Sequence, residues 1–237
     1  MKKYFIYIGI ALFLSAQTIA APVYLTQTTS QVPVEFGGVN CVWTDTWANA
    51  GNQYFRLYDL EEYGILNDLQ VTQVEFGVGW AQGANSSGQQ LITINIYTLI
   101  GPLLYSNLTP ISSTQIILPD QYLTTVVYNV NATIIPAGSI MAIELVVIEE
   151  GEFSGKVFMI GANSLGQTNP CYLASDGCGI PEPVETGLIG FPDEHSIINV
   201  YGESQGIADV PVSNWAIFLG VGLMVVITVF IARRRIA

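Results

Sequence analysis

Between Val23 and Gly202 no helical period is sustained for more than about two turns; the chain is a series of short runs in which apolar or β-branched residues alternate with polar ones. An alternating run buries one face only, so a chain made of such runs must stack two layers to hide its apolar sides. The runs at 54–58, 71–78, 91–98, 114–118, 124–130, 140–148, 157–160 and 196–201 predict strands. Turn chemistry separates them at Asn85-Ser-Ser-Gly88, Pro119-Asp120, Pro136-Ala-Gly138 and Glu150-Gly151. Strands at this spacing predict an all-β body, a β-sandwich of jelly-roll type over residues 21–202, with an Ig-like sandwich as the alternative. Residues 60–64, Leu-Glu-Glu-Tyr-Gly, read as a short helical turn.

The two ends say where such a body goes. Lys2 and Lys3 precede an apolar run over 4–14, followed by small and polar residues ending Thr18-Ile19-Ala20. This is the layout of a secretion signal, residues 1–20, cleaved after Ala20; its apolar run is shorter than the ~20 residues a bilayer crossing takes. At the other end, the residues from Trp215 to Ala232 carry no charge and are followed at once by Arg233, Arg234 and Arg235. Residues 215–232 therefore read as a membrane-spanning helix within a terminal segment 210–237, with Trp215 at the outer interface and a cytoplasmic arginine cluster. That orientation puts the body outside the cytoplasm, with the small and polar residues 203–209 as a tether.

Five of the seven basic residues lie in these ends, leaving Arg56 and Lys156 against all 19 carboxylates, a formal charge of −17 for the body and tether together, residues 21–209. Such a surface repels nucleic acid and anionic lipid, which excludes nucleic acid as a partner. About 190 residues suit one well-buried domain rather than two. Exported proteins meet oxidising conditions, so the close pair Cys171 and Cys178 predicts a disulfide around the turn-rich segment between them. Cys41 is then a buried thiol or the true partner of one of the two, since spacing alone leaves the connectivity open. Three cysteines without tight paired spacing, and the single histidine His195, do not make a zinc site.

The order Val210-Pro-Val-Ser-Asn-Trp-Ala216, apolar span, Arg233-Arg-Arg235 resembles the exosortase-type C-terminal sorting tails, the PEP-CTERM and IPTL-CTERM families. The resemblance implies that Val210, Pro211 and Trp215 are recognition positions. It also implies that a membrane-embedded sorting transpeptidase processes the tail and delivers the protein to the cell surface or extracellular matrix. Val212 and Ser213 supply no second proline or glutamate, and Asn214 stands where glutamate is common. In the body, Tyr54-Phe-Arg-Leu-Tyr-Asp59, Gly161-Ala-Asn-Ser, Cys178-Gly-Ile-Pro-Glu-Pro183 and Ile189-Gly-Phe-Pro-Asp193 are similar to an uncharacterised domain of secreted bacterial proteins, which implies an envelope or secreted setting and no particular activity.

Chemistry is harder to find. The segment Pro192-Asp193-Glu194-His195-Ser196 gathers a base, carboxylates and a hydroxyl, yet neighbours on an extended strand face opposite sides and no glycine-flanked nucleophile elbow is present. His195 therefore reads as a surface or strand-edge residue. Glycoside cleavage needs two carboxylates across a cleft, and among 19 acidic residues no pair stands out. Glu149, Glu150 and Glu152 supply oxygens of the kind calcium takes, but without an Asp/Asn ladder the segment reads as a solvated hairpin tip. Trp43, Trp47, Trp80 and Tyr97 would stack on sugar rings if they lined one face; by size and number they read as core. Asn85, Asn107 and Asn131 open Asn-x-Ser/Thr sequons in loop-like surroundings. The chain thus reads as a non-enzymatic exported surface or matrix protein with an adhesive or ligand-binding sandwich, for which a glycan is one ligand class. A secreted hydrolase or carbohydrate-active module is the alternative.

Overall fold

The computed structural model describes residues 20–83, 88–149 and 151–204. The expected signal before Ala20, the tether beyond Ser204, the sorting positions Val210, Pro211 and Trp215, and Arg233, Arg234 and Arg235 lie outside the described residues. So do Asn85 and Glu150. Among the described residues no helix is long and apolar enough to cross a membrane.

The described chain is all-β. Its strands are β1 (Ala21–Leu25), β2 (Ala50–Asp59), β3 (Leu69–Gln82), β4 (Gln89–Leu99), β5 (Leu108–Pro119), β6 (Gln121–Ile135), β7 (Ile140–Glu149), β8 (Val157–Ile160), β9 (Tyr172–Ser175), β10 (Ile180–Glu185) and β11 (Ile198–Ser204). They form two antiparallel sheets. One runs β1-β11-β3-β6, with β8 also paired to β3; the other runs β10-β9-β2-β7-β4-β5. On β3, β11 covers the first half and β8 the segment from Val78 to Gln82.

Alternation builds the core. In β4, Ile92, Ile94 and Ile96 are buried while the residues between them are not. They meet Val74, Phe76 and Val78 of β3, Ile143, Leu145 and Val147 of β7, and Ile198 and Val200 of β11 in one cluster shared by both sheets. At about 25 cal/mol per Å² of apolar surface removed from water, this cluster is the main force holding the two sheets together.

All eight expected strands are present, most of them longer than the sequence marked. The three that alternation misses, β1, β9 and β10, are short, and β1 and β10 are edge strands carrying Pro22, Pro181 and Pro183. Proline cannot donate to a ladder and is confined to such edges, so a segment that reads as loop pairs on one side only. Residues 60–64 form a hydrogen-bonded turn closed by Gly64 N–H to Glu61 O (2.9 Å) and Ile65 N–H to Leu60 O (2.9 Å).

The disulfide differs from expectation. Cys178 pairs with Cys41, Cα atoms 6.0 Å apart and 137 residues apart in sequence, and Cys171 is a buried free thiol. The reason is local: β9 runs extended between Cys171 and Cys178, and a four-residue strand alone separates its ends by about 10 Å, beyond disulfide reach. The Cys171 Sγ instead lies 3.2 Å from Thr186 Oγ1 and 3.1 Å from the Glu194 carbonyl. The observed bridge ties the connection before β2 to the β9–β10 hairpin, where Gly177 packs so closely on the Ala50 carbonyl that a Cβ would collide with it. Non-reducing peptide mapping will recover Cys41 linked to Cys178, and Cys41→Ser will lower unfolding stability by about 2–5 kcal/mol.

Candidate functional site

Three loops meet at one end of the body. Residues 26–49 join β1 to β2, residues 161–171 join β8 to β9, and residues 186–197 join β10 to β11. Val34 N–H donates to Ala162 O (2.9 Å), and Ile197 N–H to Gly161 O (2.9 Å). Gly38 lies against the Ile160 carbonyl where no Cβ fits, so the first loop reaches the sheet backbone itself.

The loops enclose a cleft of about 570 Å³ lined by residues 34 and 36–40, Asn163, Ser164 and residues 190–195. Phe36 and Phe191 stand at its walls, 79% and 46% exposed. Phe36 holds φ at +54°, a left-handed conformation that bulky side chains seldom adopt and that turns its ring outward. Asn163, almost fully buried, supports the opposite side: its N–H and Nδ2 donate to His195 O (3.2 and 3.3 Å) and its Oδ1 accepts from Leu165 and Gly166 N–H (2.8 and 3.1 Å).

Glu194 is 3% exposed. Its Oε1 accepts from Ser196 Oγ, while its Oε2 has no hydrogen-bond partner among the described residues. Burial pushes its carboxyl up to about 7, against weaker opposing pulls from the Ser196 hydroxyl, the Arg56 charge and the Val39 N–H. The Tyr54 hydroxyl, also buried and without a partner among the described residues, is raised by burial and then by the charge of Glu194. Two solvent-buried polar groups, each with an atom lacking a side-chain partner among the described residues, thus lie within electrostatic reach of one another. The other two buried glutamates differ. Glu75 accepts from Tyr24 Oη (3.0 Å), Asn199 Nδ2 (2.7 Å) and Tyr201 Oη (3.1 Å). Glu144 accepts from Asn95 Nδ2 and Tyr97 Oη, both at 2.7 Å.

Arg56, fully buried in β2, holds the segments next to the cleft. Its Nε and Nη2 donate to Ser196 O, its Nη1 to Asn169 O (2.7 Å) and its Nη2 also to Gln167 Oε1 (2.6 Å). The side chains of 194–196 do not form a relay. Ser196 bonds Glu194 on one side, whereas the His195 ring reaches Asn163 O (Nδ1 to O 3.2 Å) on the other, as alternation along an extended segment requires. His195 is half-buried at the cleft rather than free on the surface.

The remaining sequence candidates are scattered. Glu149 ends β7 and Glu152 lies in the following turn; among the described residues no three His, Cys, Asp or Glu side chains gather to hold a metal ion. None of Trp43, Trp47, Trp80 or Tyr97 belongs to the core cluster, against expectation. Trp47 is 55% exposed at φ +62°, and Trp80 and Tyr97 lie on different sheets, so the four do not make one aromatic face. Asn107 Nδ2 and Asn131 Nδ2 bond Pro102 O (2.9 Å) and Ser113 O (3.2 Å). Sequence reasoning missed Gly38, Asn163 and the burial of Glu194; the glycine-flanked runs 37–38 and 161–166 were the available signal. No protein-family model matches the chain, and no curated protein is similar enough to count as a relative.

Glu194 binds its proton more tightly in the folded chain than in the unfolded one, so its contribution to stability is complete below the ordinary carboxylate range and is lost as the pH rises toward about 7. Denaturant titrations at pH 4 and pH 8 will show wild type losing about 3 kcal/mol more than Glu194→Gln between the two. Parallel pH dependence of the two proteins is the contrary result.

Proposed function

We propose that this chain is an exported, surface-directed protein whose jelly-roll-like sandwich binds a ligand in the cleft around Glu194 and His195. The strand order supports the jelly-roll reading. The series β1-β11-β3-β6 opposite β2-β7-β4-β5 is that of an eight-stranded jelly roll, with β8, β9 and β10 inserted before the last strand. An Ig-like sandwich would keep other strands adjacent.

The observation that carries the binding reading is the open carboxylate oxygen of Glu194 beside a cleft of ligand size. Buried polar atoms are normally satisfied, and an unpaired one belonging to a residue of a cleft lining marks a place where a small shift of the loops would admit a donor from outside. The mix of exposed phenylalanine, amide and carboxylate suits a small ligand with apolar faces and hydroxyl or amine donors, glycans among them. The protein's export is supported by the signal-like residues 1–20, by the apolar span ended by Arg233, Arg234 and Arg235, and by a long-range disulfide of the kind that persists in oxidising compartments. A sorting transpeptidase would act at Val210, Pro211 and Trp215. The hydrolase reading retains one favourable observation: a carboxyl held near pH 7 in a cleft is suited to general-acid work.

One preparation tests both. Protein released from cells, identified by an intact mass lacking the residues beyond the Val210 region, will bind members of a glycan panel. Phe191→Ala and Glu194→Gln will each weaken that binding at least tenfold with the fold intact. Turnover of a bound glycan, lost in Glu194→Gln while binding remains, would establish the hydrolase instead, and full-length protein alone would leave a plain membrane anchor.

A further inference from the structure

The outer side of a sandwich sheet is ordinarily its polar, solvated side. In the sheet β10-β9-β2-β7-β4-β5 the inner side carries Tyr54, Tyr58, Ile143 and Leu145, members of the core cluster, so the residues alternating with them face outward. Strand register carries that outer face from strand to strand. Phe55 opposes Glu144 and Tyr172, Asp59 opposes Ile140, Ile140 opposes Leu99, and Tyr172 opposes Glu185. At the end of the sheet where β2 and β4 finish, this face is apolar. Phe55, Ala142 and Leu99 are at most 5% exposed, and Leu57 and Ile140 are half-buried. None of the five belongs to the core cluster between the sheets.

Two segments cover this face without closing over it. Residues 100–107, after β4, cross it: the Tyr105 ring meets Phe55 edge-on, centroids 5.9 Å apart, and the Tyr105 N–H donates to Glu182 Oε2 of β10 (2.9 Å). Asn107 Nδ2 braces the segment from within by donating to Pro102 O (2.9 Å). On the other side stand β10 and the turn 186–189. Between the two remains a groove of about 510 Å³, floored by Leu57, Leu99, Ile140 and Tyr172 and walled by residues 101–103 and 183–185 with Leu188. That volume, a mostly apolar lining and few polar groups are the marks of a small-molecule site. Glu185 is the only charged side chain of the lining. Burial raises the Tyr172 hydroxyl and the Glu185 charge raises it further, so the two cross-strand partners make one polar corner. Neither basic side chain of the body lines the groove: Arg56, on the other side of β2, is held by Ser196, Asn169 and Gln167, and Lys156 lies in the connection before β8.

We propose that this groove is a second binding site, which takes a small amphipathic amine: an apolar body along Leu57, Leu99 and Ile140, and a cationic end at Glu185 and Tyr172. Charge complementarity selects the class. An anionic amphiphile would meet Glu185, with Glu182 beside it on β10, and find no cation to receive it. An ammonium gains a charge-assisted hydrogen bond at the same corner, while its apolar body covers surface that the two segments leave open. The inference is independent of the ligand cleft, with which the groove shares no residue.

Dansylcadaverine, an aromatic body on a short chain ending in an ammonium, tests this beside its N-acetyl derivative, the same body without the charge. Each is titrated into the full-length chain in zwitterionic nanodiscs, with empty discs subtracted, and followed by dansyl emission. Wild type will bind the amine at micromolar concentration and the N-acetyl compound about tenfold more weakly, the size of one hydrogen bond to a charged group. Glu185→Gln will bring the amine to the level of the N-acetyl compound. Leu57→Trp, which fills the groove, will abolish binding of both, and Glu194→Gln, in the cleft, will change neither. Should Leu57→Trp fail to fold, Leu188→Ser at a position 79% exposed replaces it and weakens both by about threefold. Wild type that binds neither compound or both equally, a folded Glu185→Gln that keeps the discrimination, or loss of binding in Glu194→Gln would overturn the proposal.

Discussion

One buried cation organises the end of the molecule that carries the cleft. Arg56 points inward from β2, between Tyr54 and Tyr58, and reaches across to the segment that becomes β11, where it holds the Ser196 carbonyl; two residues on, Tyr58 Oη donates to Ile198 O. The same guanidinium binds Asn169 O and Gln167 Oε1 in the β8–β9 connection. A planar fork with five donors is suited to tying two separated segments to its own strand at once. Taking a guanidinium out of water is costly, and neutral carbonyls offset only part of that. The Arg56 charge in turn draws the Glu194 carboxyl down from where burial alone would put it.

From that clamp the geometry of the cleft follows. Fixing Ser196 fixes the hydroxyl that serves Glu194 Oε1. With Oε1 occupied, Oε2 remains the unpaired atom, buried within electrostatic reach of the Tyr54 hydroxyl. His195, on the opposite side of the same short segment, is then directed to the Asn163 carbonyl and to the cleft wall. The glycines at 37 and 38 let the first loop close over this arrangement with backbone alone.

The fold was largely legible in the sequence because alternation is a local signal: Ile92, Ile94 and Ile96 announce a strand without reference to any other residue. Where pairing is one-sided the signal fails, and Pro181 and Pro183 disguised β10 as loop. The disulfide was misread for the same reason, since the unseen β9 is what separates Cys171 from Cys178 and frees the latter for Cys41. The site was legible only as a cluster of residue types at 193–196. Its burial and its unpaired oxygen depend on Arg56 in β2 and on Asn163 and Gly38 in two different loops, which no sequence periodicity joins. The aromatics erred in the other direction: Trp47 and Trp80 have core composition, yet one sits on a loop in a left-handed conformation and neither joins the cluster that fills the sandwich.

If Arg56 is the clamp, weakening its fork should loosen the two loops it holds, 161–171 and 186–197, and spare the sheets. Lysine keeps the charge but not the five-donor plane. Hydrogen exchange on Arg56→Lys read residue by residue is therefore the most direct measurement. The expected result is at least tenfold faster exchange at Asn163, Gly166 and Ile197, with β4 and β7 as protected as in wild type. Unchanged protection around the cleft, or an equal loss across both sheets, would contradict the account.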